Sequence, residues 1–392
     1  KSGADAIHPG YGFLSENADF SEACEKAGII FIGPPPQVIR DMGNKVVARG
    51  IMEKAGVPTI PGTGDLAPGE AGALQAKEFA EKYGYPLMLK AAAGGGGRGI
   101  RKIANWEELK IQLPLVRAET RTAFNDDRIY IEKCIESPRH IEIQILADYH
   151  GNVIHLGSRD CSIQRRHQKL LEIAPADLPP NVLEAMYDAA IKGAKQAGYV
   201  NAGTVEFLVD SKTDEFWFME MNTRLQVEHT VTEELTGVDI VRQQIRIAEG
   251  NVLDIPAERV HMLGKAVQVR INAEDPKNNF MPEGGKTLEV YHSPGGPGVR
   301  LDGVVYQGYR IPTDYDSLMV KMTVRGYNWE QTIQRLKRSL NNFLIVGPKT
   351  TIPFYLAICD EPDFQAGKFD TSYLETHQQL FDYPEQEREV AK

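Results

Sequence analysis

Two short segments carry acidic residues at a spacing that could bind a divalent cation. One reads TVEFL around Glu206, and the other reads FMEMN and contains Glu220 and Asn222. If residues 212–214 form a three-residue hairpin loop, Glu206 faces Glu220 directly and Asn222 lies on the same face. Two carboxylates and an amide oxygen suit Mg²⁺, especially when phosphate oxygens complete the site. A register shifted by one residue would separate the two acids, and the spacing alone leaves both arrangements open.

A glycine-rich segment, GGGGRG at 94–99, satisfies the G-x-G-x-x-G pattern of dinucleotide-binding proteins. In that motif the glycines open a helix, whereas here the alternating residues 100–103 indicate a strand, so the loop joins two strands. Glycines expose their backbone N–H groups and permit close approach, so the loop could cover phosphates. Lys90, in the strand that enters the loop, could reach the same phosphates. The alternative is a merely flexible loop.

Two further segments could bind a small anion. The run RRHQK at 165–169 is basic, although such a run is more often a solvated face. The run EMNTRLQVEH at 220–229 is dense in groups able to bind and deprotonate a small oxyanion. A lone glutamate is usually a surface charge. Glu228, however, lies two residues from Gln226 and four from Arg224, which favours a catalytic role.

The first third of the chain must position the glycine loop. Its pattern predicts half of a doubly wound α/β domain, with strands at 4–7 and 29–32 around a helix at 16–27. One helix should then run from Pro36 to Ala55, followed by a Pro/Gly-rich linker at 57–72. The α+β elements expected next are a helix at 73–83, strands at 86–90 and 100–103, and a helix at 106–119.

The remainder of the chain must position the acidic and anion-binding segments. Period-two alternation from residue 128 onward predicts hairpins. The expected strands are 129–132, 140–146, 153–156, 203–209, 215–221, 266–272 and 288–292. Two long helices are expected, at 231–249 and 329–341. Beyond Leu374 the chain becomes polar, which predicts a frayed tail.

Length and composition restrict the class of protein. The 392 residues predict two to three domains, and a net charge of −10 argues against broad nucleic-acid binding or adhesion to an acidic membrane. No apolar stretch approaches the ~20 residues of a transmembrane helix. The four cysteines are widely separated, which argues against a zinc site or a disulfide framework and favours a cytoplasmic protein. The chain opens at Lys1 without methionine, so we expect further residues before it.

These segments together closely resemble biotin carboxylase, an ATP-grasp enzyme. The matching stretches are HPGYGFLSEN at 8–17, Lys90 with 94–99, SPRHIE at 137–142, RDCSIQRRHQK at 159–169, 220–228, and RINAED at 270–275. They are spread over almost the whole chain in the order of the family. Two departures stand beside the site: Thr230 replaces the usual Pro and Asn44 replaces the usual Asp.

The resemblance implies a set of site residues. Those implied for ATP are Lys45, Lys90, Gly96, Gly97, Glu132, Lys133, Cys134, Ile135, His140, Gln164, His167, Glu206 and Glu220, with 132–135 as the adenine hinge. Those implied for two Mg²⁺ or Mn²⁺ ions are Glu206, Glu220 and Asn222. Those implied for bicarbonate are Lys169, Arg224, Gln226 and Val227. Glu228 would be the general base, Arg270 would bind biotin and stabilise its enolate, and Arg224 and Lys169 complete the catalytic set.

The resemblance also implies an α/β and α+β multidomain fold: an ATP-grasp fold preceded by a partial Rossmann-like domain and followed by a biotin carboxylase C-terminal domain. The implied boundaries are 1–44 for the N-terminal domain, 45–61 for a helix and linker, 62–134 for the small lid domain, 135–255 for the large half, 256–375 for the C-terminal domain, and 376–392 for a polar tail.

The implied activity is ATP-dependent carboxylation of biotin with bicarbonate through carboxyphosphate. Biotin would arrive on a separate carrier protein or domain, because VKM at 320–322 lies within a strand pattern and Lys321 is better explained as structural. The other implied partners are a carboxyltransferase subunit and a second copy in a homodimer. The residues at 350–354 and 367–371 resemble those of pyruvate-carboxylase-type subunits more than those of acetyl-CoA carboxylase. The alternatives are another ATP-grasp ligase or a non-catalytic assembly subunit.

Overall fold

The N-terminal segment forms the start of an α/β layer. The computed structural model describes residues 2–92, 99–166, 168–256 and 260–384. Strands β1 (Ala6–Ile7) and β2 (Ile30–Phe31) are parallel, with helix α1 (Ala18–Lys26) between them in the chain. This is the predicted strand–helix–strand pattern, with shorter strands than expected.

The helix predicted from Pro36 to Ala55 is wrong, because the chain forms two helices there. Helix α2 (Pro36–Gly43) ends before Asn44, and helix α3 (Lys45–Lys54) begins after it. Asn44 is extended, and its side chain accepts hydrogen bonds from the backbone N–H groups of the second and third residues of α3. This N-cap places Lys45 on the first turn of a helix that faces the site.

A small antiparallel sheet carries the glycine loop. Its elements are helix α4 (Glu70–Tyr83), strands β3 (Leu87–Ala91) and β4 (Ile100–Ile103), helix α5 (Trp106–Phe124) and strand β5 (Ile129–Lys133), with sheet order β4-β3-β5. Lys90 pairs with Ile100, so the glycine loop connects two antiparallel strands as predicted. Residues 93–98 of the loop, including Gly96 and Gly97, lie outside the described residues.

An eight-stranded sheet forms the centre of the protein and supplies most of the site. Its order is β12-β11-β6-β7-β10-β13-β18-β17. The elements before residue 250 are β6 (Arg139–Ala147), β7 (Val153–Asp160), β8 (Gln164–Arg165), β9 (Gln168–Lys169), β10 (Leu171–Ala174), α6 (Pro180–Gln196), β11 (Asn201–Val209), β12 (Phe216–Asn222), α7 (His229–Thr236) and α8 (Ile240–Ala248). Buried residues of β6, β11 and α6 pack into one apolar core.

The same sheet continues into the C-terminal region, because β10 pairs with β13. The elements here are β13 (Lys265–Asn272), β14 (Glu274–Asp275), a 3-10 turn (Pro276–Asn278), β15 (Met281–Pro282), β16 (Val290–His292), β17 (Val299–Gly303), β18 (Leu318–Gly326), α9 (Trp329–Asn342), β19 (Leu344–Val346), α10 (Ile352–Asp360), α11 (Pro362–Gln365), α12 (Tyr373–Thr376) and a 3-10 turn (Gln378–Phe381). Strand β13, which carries Arg270, therefore lies in the same sheet as β11 and β12, which carry the acidic pair.

Two further expectations from the sequence are wrong. The helix predicted at 231–249 is split into α7 and α8, because Gly237 has a left-handed conformation (φ 71°) and Asp239 caps α8. The frayed tail predicted directly after Leu374 is wrong for the residues up to Phe381, since these form helix α12 and a 3-10 turn and Leu380 is buried in the C-terminal core. Among the residues that the structure describes, no helix is both long and apolar enough to cross a bilayer.

Candidate active site

The acidic pair lies on a hairpin whose register is produced differently from the prediction. Asp210 N–H donates to the Glu215 carbonyl at 2.8 Å, so the hairpin loop has four residues and the three-residue loop is wrong. The pairing then shifts by one residue between Glu206 and Phe207, where β12 has a bulge. The bulge restores the predicted alignment, and Glu206 is paired directly with Glu220.

Lys169 is the centre of a buried carboxylate cluster. Its Nζ lies 2.6 Å from Glu142, 2.8 Å from Glu206 and 2.7 Å from Glu228. Burial alone would lower the pKa of Lys169, but these three carboxylates raise it well above its usual value. Lys169 is therefore a firmly held cation that brings two predicted site residues, Glu206 and Glu228, to one point.

Glu206 is held as a carboxylate by donors from four elements. Its Oε1 accepts from Lys169, from Asn222 at 2.7 Å and from Gln226 at 3.1 Å, and its Oε2 is hydrogen-bonded to His140 Nε2 at 2.7 Å. Burial would raise the pKa of Glu206, but Lys169 and His140 outweigh burial and lower it. The predicted metal residues Glu206 and Asn222 are thus in contact.

Glu220 and Lys45 form a separate, more exposed pair at the edge of this cluster. The Lys45 ammonium lies 3.6 Å from the Glu220 carboxylate. Glu220 shares a hairpin face with Glu206 and Asn222, so the three residues predicted for a metal lie on one side of the sheet. Their chemistry, two carboxylates and an amide oxygen, fits a hard divalent cation.

The anion-binding segment folds around the same point. Arg224 donates to Asn222 Oδ1 at 3.2 Å and to Gln226 Oε1 at 3.1 Å, and it is paired with Glu16 at 2.9 Å. The Val227 carbonyl accepts from Lys321 Nζ at 3.1 Å. Gln226 and Lys169 both contact Glu206, so the structure links the predicted bicarbonate residues Arg224 and Gln226 to Lys169 through that carboxylate.

Glu228 lies between two cations. Lys169 contacts its Oε1, and Arg270 Nη2 lies 3.2 Å from its Oε2. Burial and Glu142 would raise the pKa of Glu228, but Lys169 and Arg270 lower it overall. Glu228 is thus ionised at neutral pH and can accept a proton.

Arg270 is oriented by a buried polar chain that the sequence analysis missed. Its Nε and Nη2 donate to Glu172 Oε1 at 2.9 and 2.6 Å. Glu172 Oε2 accepts from Gln268 Nε2 at 2.9 Å, and Gln268 Oε1 accepts from Thr230 Oγ1 at 2.5 Å. Thr323 Oγ1 lies 2.6 Å from Thr230 Oγ1 and is the last group of this series of hydrogen bonds. A hydroxyl at the position where the family usually has Pro is therefore part of the support of Arg270.

A second residue that was not predicted, Arg159, supports the carboxylate cluster through Glu142. It is fully buried and pairs with Glu142. It also donates to Gln144 at 2.8 Å, to Thr232 at 2.9 Å and to Thr204 at 3.1 Å. Glu142 lies in the motif SPRHIE, and Arg159 lies in the motif RDCSIQ. The signal available in the sequence was a charged residue inside a strand pattern.

Several of the residues predicted for ATP are arranged around β3 and β5. The Lys90 ammonium lies 2.6 Å from the Glu132 carboxylate, and both side chains are largely buried. Glu132, Lys133, Cys134 and Ile135 follow one another at the end of β5, where Lys133 N–H donates to the Pro61 carbonyl at 2.9 Å. Gln164 reaches His140 at 3.5 Å, whereas His167 lies outside the described residues.

Comparison with known proteins identifies the family of this chain. The biotin carboxylase N-terminal domain model matches residues 1–39, the carbamoyl-phosphate synthase L chain ATP-binding domain model matches 44–256, and the biotin carboxylase C-terminal domain model matches 268–376. These models together cover most of the chain. The protein is thus an ATP-grasp enzyme of the carboxylase class.

Individual relatives identify the family within this class. Biotin carboxylase 1 of Bacillus subtilis is 49% identical over 377 residues, which is 96% of this chain and 83% of the relative. Pyruvate carboxylase 1 of Caenorhabditis elegans is 49% identical over 99% of this chain, which spans 33% of that longer relative. The biotin carboxylase domain dimer of Hydrogenobacter thermophilus 2-oxoglutarate carboxylase, in complex with MgADP, ADP and bicarbonate, matches with a TM-score of 0.93 and 50% identity over 98% of this chain and 84% of that chain. The chain belongs to the biotin carboxylase family.

Proposed function

We propose that this chain carboxylates carrier-bound biotin with bicarbonate at the expense of ATP, the first half-reaction of a biotin-dependent carboxylase. The observation that carries the proposal is one connected network around Lys169. Glu228 pairs with Lys169 and links it to Arg270, and Glu206 links Lys169 to Gln226 and through it to Arg224. Another ATP-grasp ligase would need the acidic pair and the glycine loop but not this combination of groups.

ATP would lie between the lid and the large half. Lys90 and Lys45 each have a carboxylate partner, Glu132 and Glu220. Phosphate oxygens would replace these carboxylates as partners of the two ammonium groups. Gly96, Gly97 and His167 remain predictions for phosphate and nucleotide contacts, together with the hinge at 132–135.

Glu206, Glu220 and Asn222 would hold Mg²⁺ or Mn²⁺. When bound, two such ions would neutralise charge on the transferred phosphoryl group. Lys169 and His140 both contact the Glu206 carboxylate. One of these two contacts must weaken when a divalent cation binds to Glu206. His140 can then turn toward a phosphate oxygen, as predicted for this residue.

Glu228 would act as the general base on bicarbonate. Bicarbonate bound to Lys169, Arg224, Gln226 and the Val227 backbone draws Lys169 away from Glu228, which raises the proton affinity of that carboxylate. Glu228 then takes the bicarbonate proton, the freed oxygen forms a bond to the γ-phosphorus, and the bond to ADP breaks. The product is carboxyphosphate.

Arg270 would act in the second step. Carboxyphosphate releases CO2, the resulting phosphate takes the N1′ proton of biotin, and N1′ forms a bond to CO2. Negative charge develops on the ureido oxygen of biotin, and the Arg270 guanidinium offsets it. Glu172 holds Arg270 through Nε and Nη2, which leaves Nη1 to face the enolate.

The expected partners are a biotin carrier protein or domain and a carboxyltransferase subunit. We also infer a homodimer, since a relative of known structure is described as a dimer. Four free cysteines support a cytoplasmic location.

The test is ATP cleavage by the purified chain with and without bicarbonate and free biotin. We expect cleavage that requires bicarbonate and is stimulated by biotin. Cleavage without any biotin effect would favour another ATP-grasp ligase, and no cleavage would favour an assembly subunit.

A further inference from the structure

Two aromatic side chains from distant parts of the chain meet in solvent near the site. Phe13 is 90% exposed and Tyr315 is 67% exposed, yet their rings pack edge to face with centroids 6.2 Å apart. Leu14, beside Phe13, is also exposed. We call Phe13, Leu14 and Tyr315 the aromatic rim. It joins the N-terminal α/β segment to the loop that precedes β18.

Stability does not explain this arrangement. Burial of an aromatic ring stabilises a protein, but these rings remain largely in water. Phe13 also adopts a left-handed backbone conformation, with φ 48°, which is unfavourable for a bulky residue. Residues held in such conformations often occur at functional sites. A strained and exposed phenylalanine is therefore better explained by a contact with another molecule.

The aromatic rim is continuous with the candidate active site. Tyr11, two residues before Phe13, has its ring 5.3 Å from the Lys321 ammonium, which donates to the Val227 carbonyl. Burial raises the pKa of Tyr11, Arg270 partly offsets that effect, and Asp302 and Asp316 raise the pKa further. Lys321 is also paired with Arg270 across strands β13 and β18, so the Tyr11 ring lies over the neighbour of Arg270.

We propose that the aromatic rim is the docking surface for the protein that carries biotin. The proposal rests on the proposed function, in which the substrate is tethered to a carrier. A tethered substrate reaches Arg270 only if its carrier lies against the mouth of the site. Exposed aromatic side chains are the usual anchors of such contacts, and this pair is the exposed aromatic contact that leads to Arg270.

The surroundings define the chemistry of the partner. Asp314 and Asp316 flank Tyr315, and both are exposed. The rim is therefore an apolar centre bordered by negative charge. It fits a carrier surface with an apolar centre and lysine or arginine residues around it. Because Phe13 and Tyr315 come from different domains, the carrier would contact both.

The experiment compares tethered with free biotin on the full chain. The tethered substrate is a purified biotinylated carrier domain that the wild-type chain carboxylates with a higher kcat/KM than free biotin. The variants are Phe13→Asn, which tolerates the left-handed conformation, and Tyr315→Asn. The control is Tyr327→Asn, because Tyr327 is 85% exposed at the end of β18.

We expect each rim variant to lose about tenfold in kcat/KM for tethered biotin, which equals about 1.4 kcal/mol, and less than twofold for free biotin. Tyr327→Asn should change neither. Equal losses on both substrates, or no loss on either, would overturn the docking surface and leave the proposed function intact. A rim variant that lowers the molecular mass in solution would assign the rim to a second copy of this chain and overturn the proposal. A wild-type chain that carboxylates neither substrate would contradict the proposed function itself.

Discussion

The substitution Thr230→Val tests the polar chain that orients Arg270. Gln268 must present its NH2 group to the Glu172 carboxylate, so its carbonyl oxygen faces Thr230 and requires a donor there. Valine has nearly the shape of threonine but no hydroxyl. The substitution therefore leaves Gln268 Oε1 and Thr323 Oγ1, both fully buried, with one partner fewer.

The size of the effect follows from those two atoms. A buried polar atom left unpaired costs about 1–3 kcal/mol, so we expect Thr230→Val to lower the free energy of unfolding by about 2 kcal/mol or more. The control is Thr332→Val. Thr332 is equally buried, but its hydroxyl donates to the Asn328 carbonyl, which also accepts a backbone N–H, so that loss should be closer to about 1 kcal/mol.

The assays are denaturant unfolding and carboxylation of free biotin. Gln268→Leu and the double variant complete a cycle, in which we expect a coupling of about 0.5–3 kcal/mol between positions 230 and 268. Carboxylation should fall roughly threefold to tenfold, and ATP cleavage without biotin should fall less, because only Arg270 loses its support. If Thr230→Val behaves like Thr332→Val in both assays and the coupling is zero, the hydrogen bonds from Thr230 through Gln268 to Glu172 do not position Arg270.

Three further substitutions test other parts of the site. Glu220→Gln should weaken binding of Mg²⁺-ATP by tenfold or more, because it removes charge from the metal site, whereas Glu215→Gln on the exposed hairpin end should not; isothermal titration measures both. Lys90→Met should weaken ATP binding by about 10- to 100-fold, and Lys77→Met, on the exposed side of helix α4, should have little effect in the same titration. Burial lowers the pKa of His229 to about 4, so between about pH 6.5 and pH 4 the unfolded chain binds an additional proton and stability decreases as the pH decreases. His229→Asn should remove about 3 kcal/mol of that decrease in unfolding measured across the interval.

Each of these predictions has a contradicting outcome. Unchanged metal dependence in Glu220→Gln would remove this residue from the metal site. Equal titrations for the two lysine variants would mean that Lys90 does not bind phosphate. A His229→Asn protein that loses as much stability between pH 6.5 and pH 4 as the wild type would place the responsible proton on another group.

The sequence predicted strand pairs better than it predicted their causes. Glu206 is opposite Glu220 as expected, but a four-residue loop and a compensating bulge produce the alignment. In a hairpin, one more residue in the loop can be compensated by a one-residue bulge in a strand. The number of residues between Glu206 and Glu220 is the same in both cases, so the spacing does not distinguish them. The correct pairing was therefore consistent with a wrong loop.

The helix errors had signals in the sequence. Asn44 and Asp239 are both side chains that cap the next helix, and Gly237 ends the preceding one. The apolar periodicity continues across each break, which is why one helix was predicted in each case. Capping residues inside a periodic run indicate a break when glycine or an extended residue accompanies them.

The support of the site could not be predicted from local patterns. Glu142, Arg159 and Glu172 are charged residues inside strands, and their partners lie on strands far away in the chain. A buried charge is stable only with such partners, so its presence in a strand predicts a network but not which residues form it. The resemblance to the family predicted the residues that would contact substrate, and the structure shows which residues hold them.

The most direct test of the proposed mechanism is a pair of assays on Glu228→Gln and Arg270→Ala. One assay measures bicarbonate-dependent ATP cleavage without biotin, and the other measures carboxybiotin formation. Glu228→Gln should lower both by about 10²- to 10⁴-fold, the usual value of a general base, with nucleotide binding retained. Arg270→Ala should lower carboxybiotin formation more than ATP cleavage, because charge develops beside it only in the second step. An equal loss in both assays for Arg270→Ala would contradict the division of the reaction between these two residues.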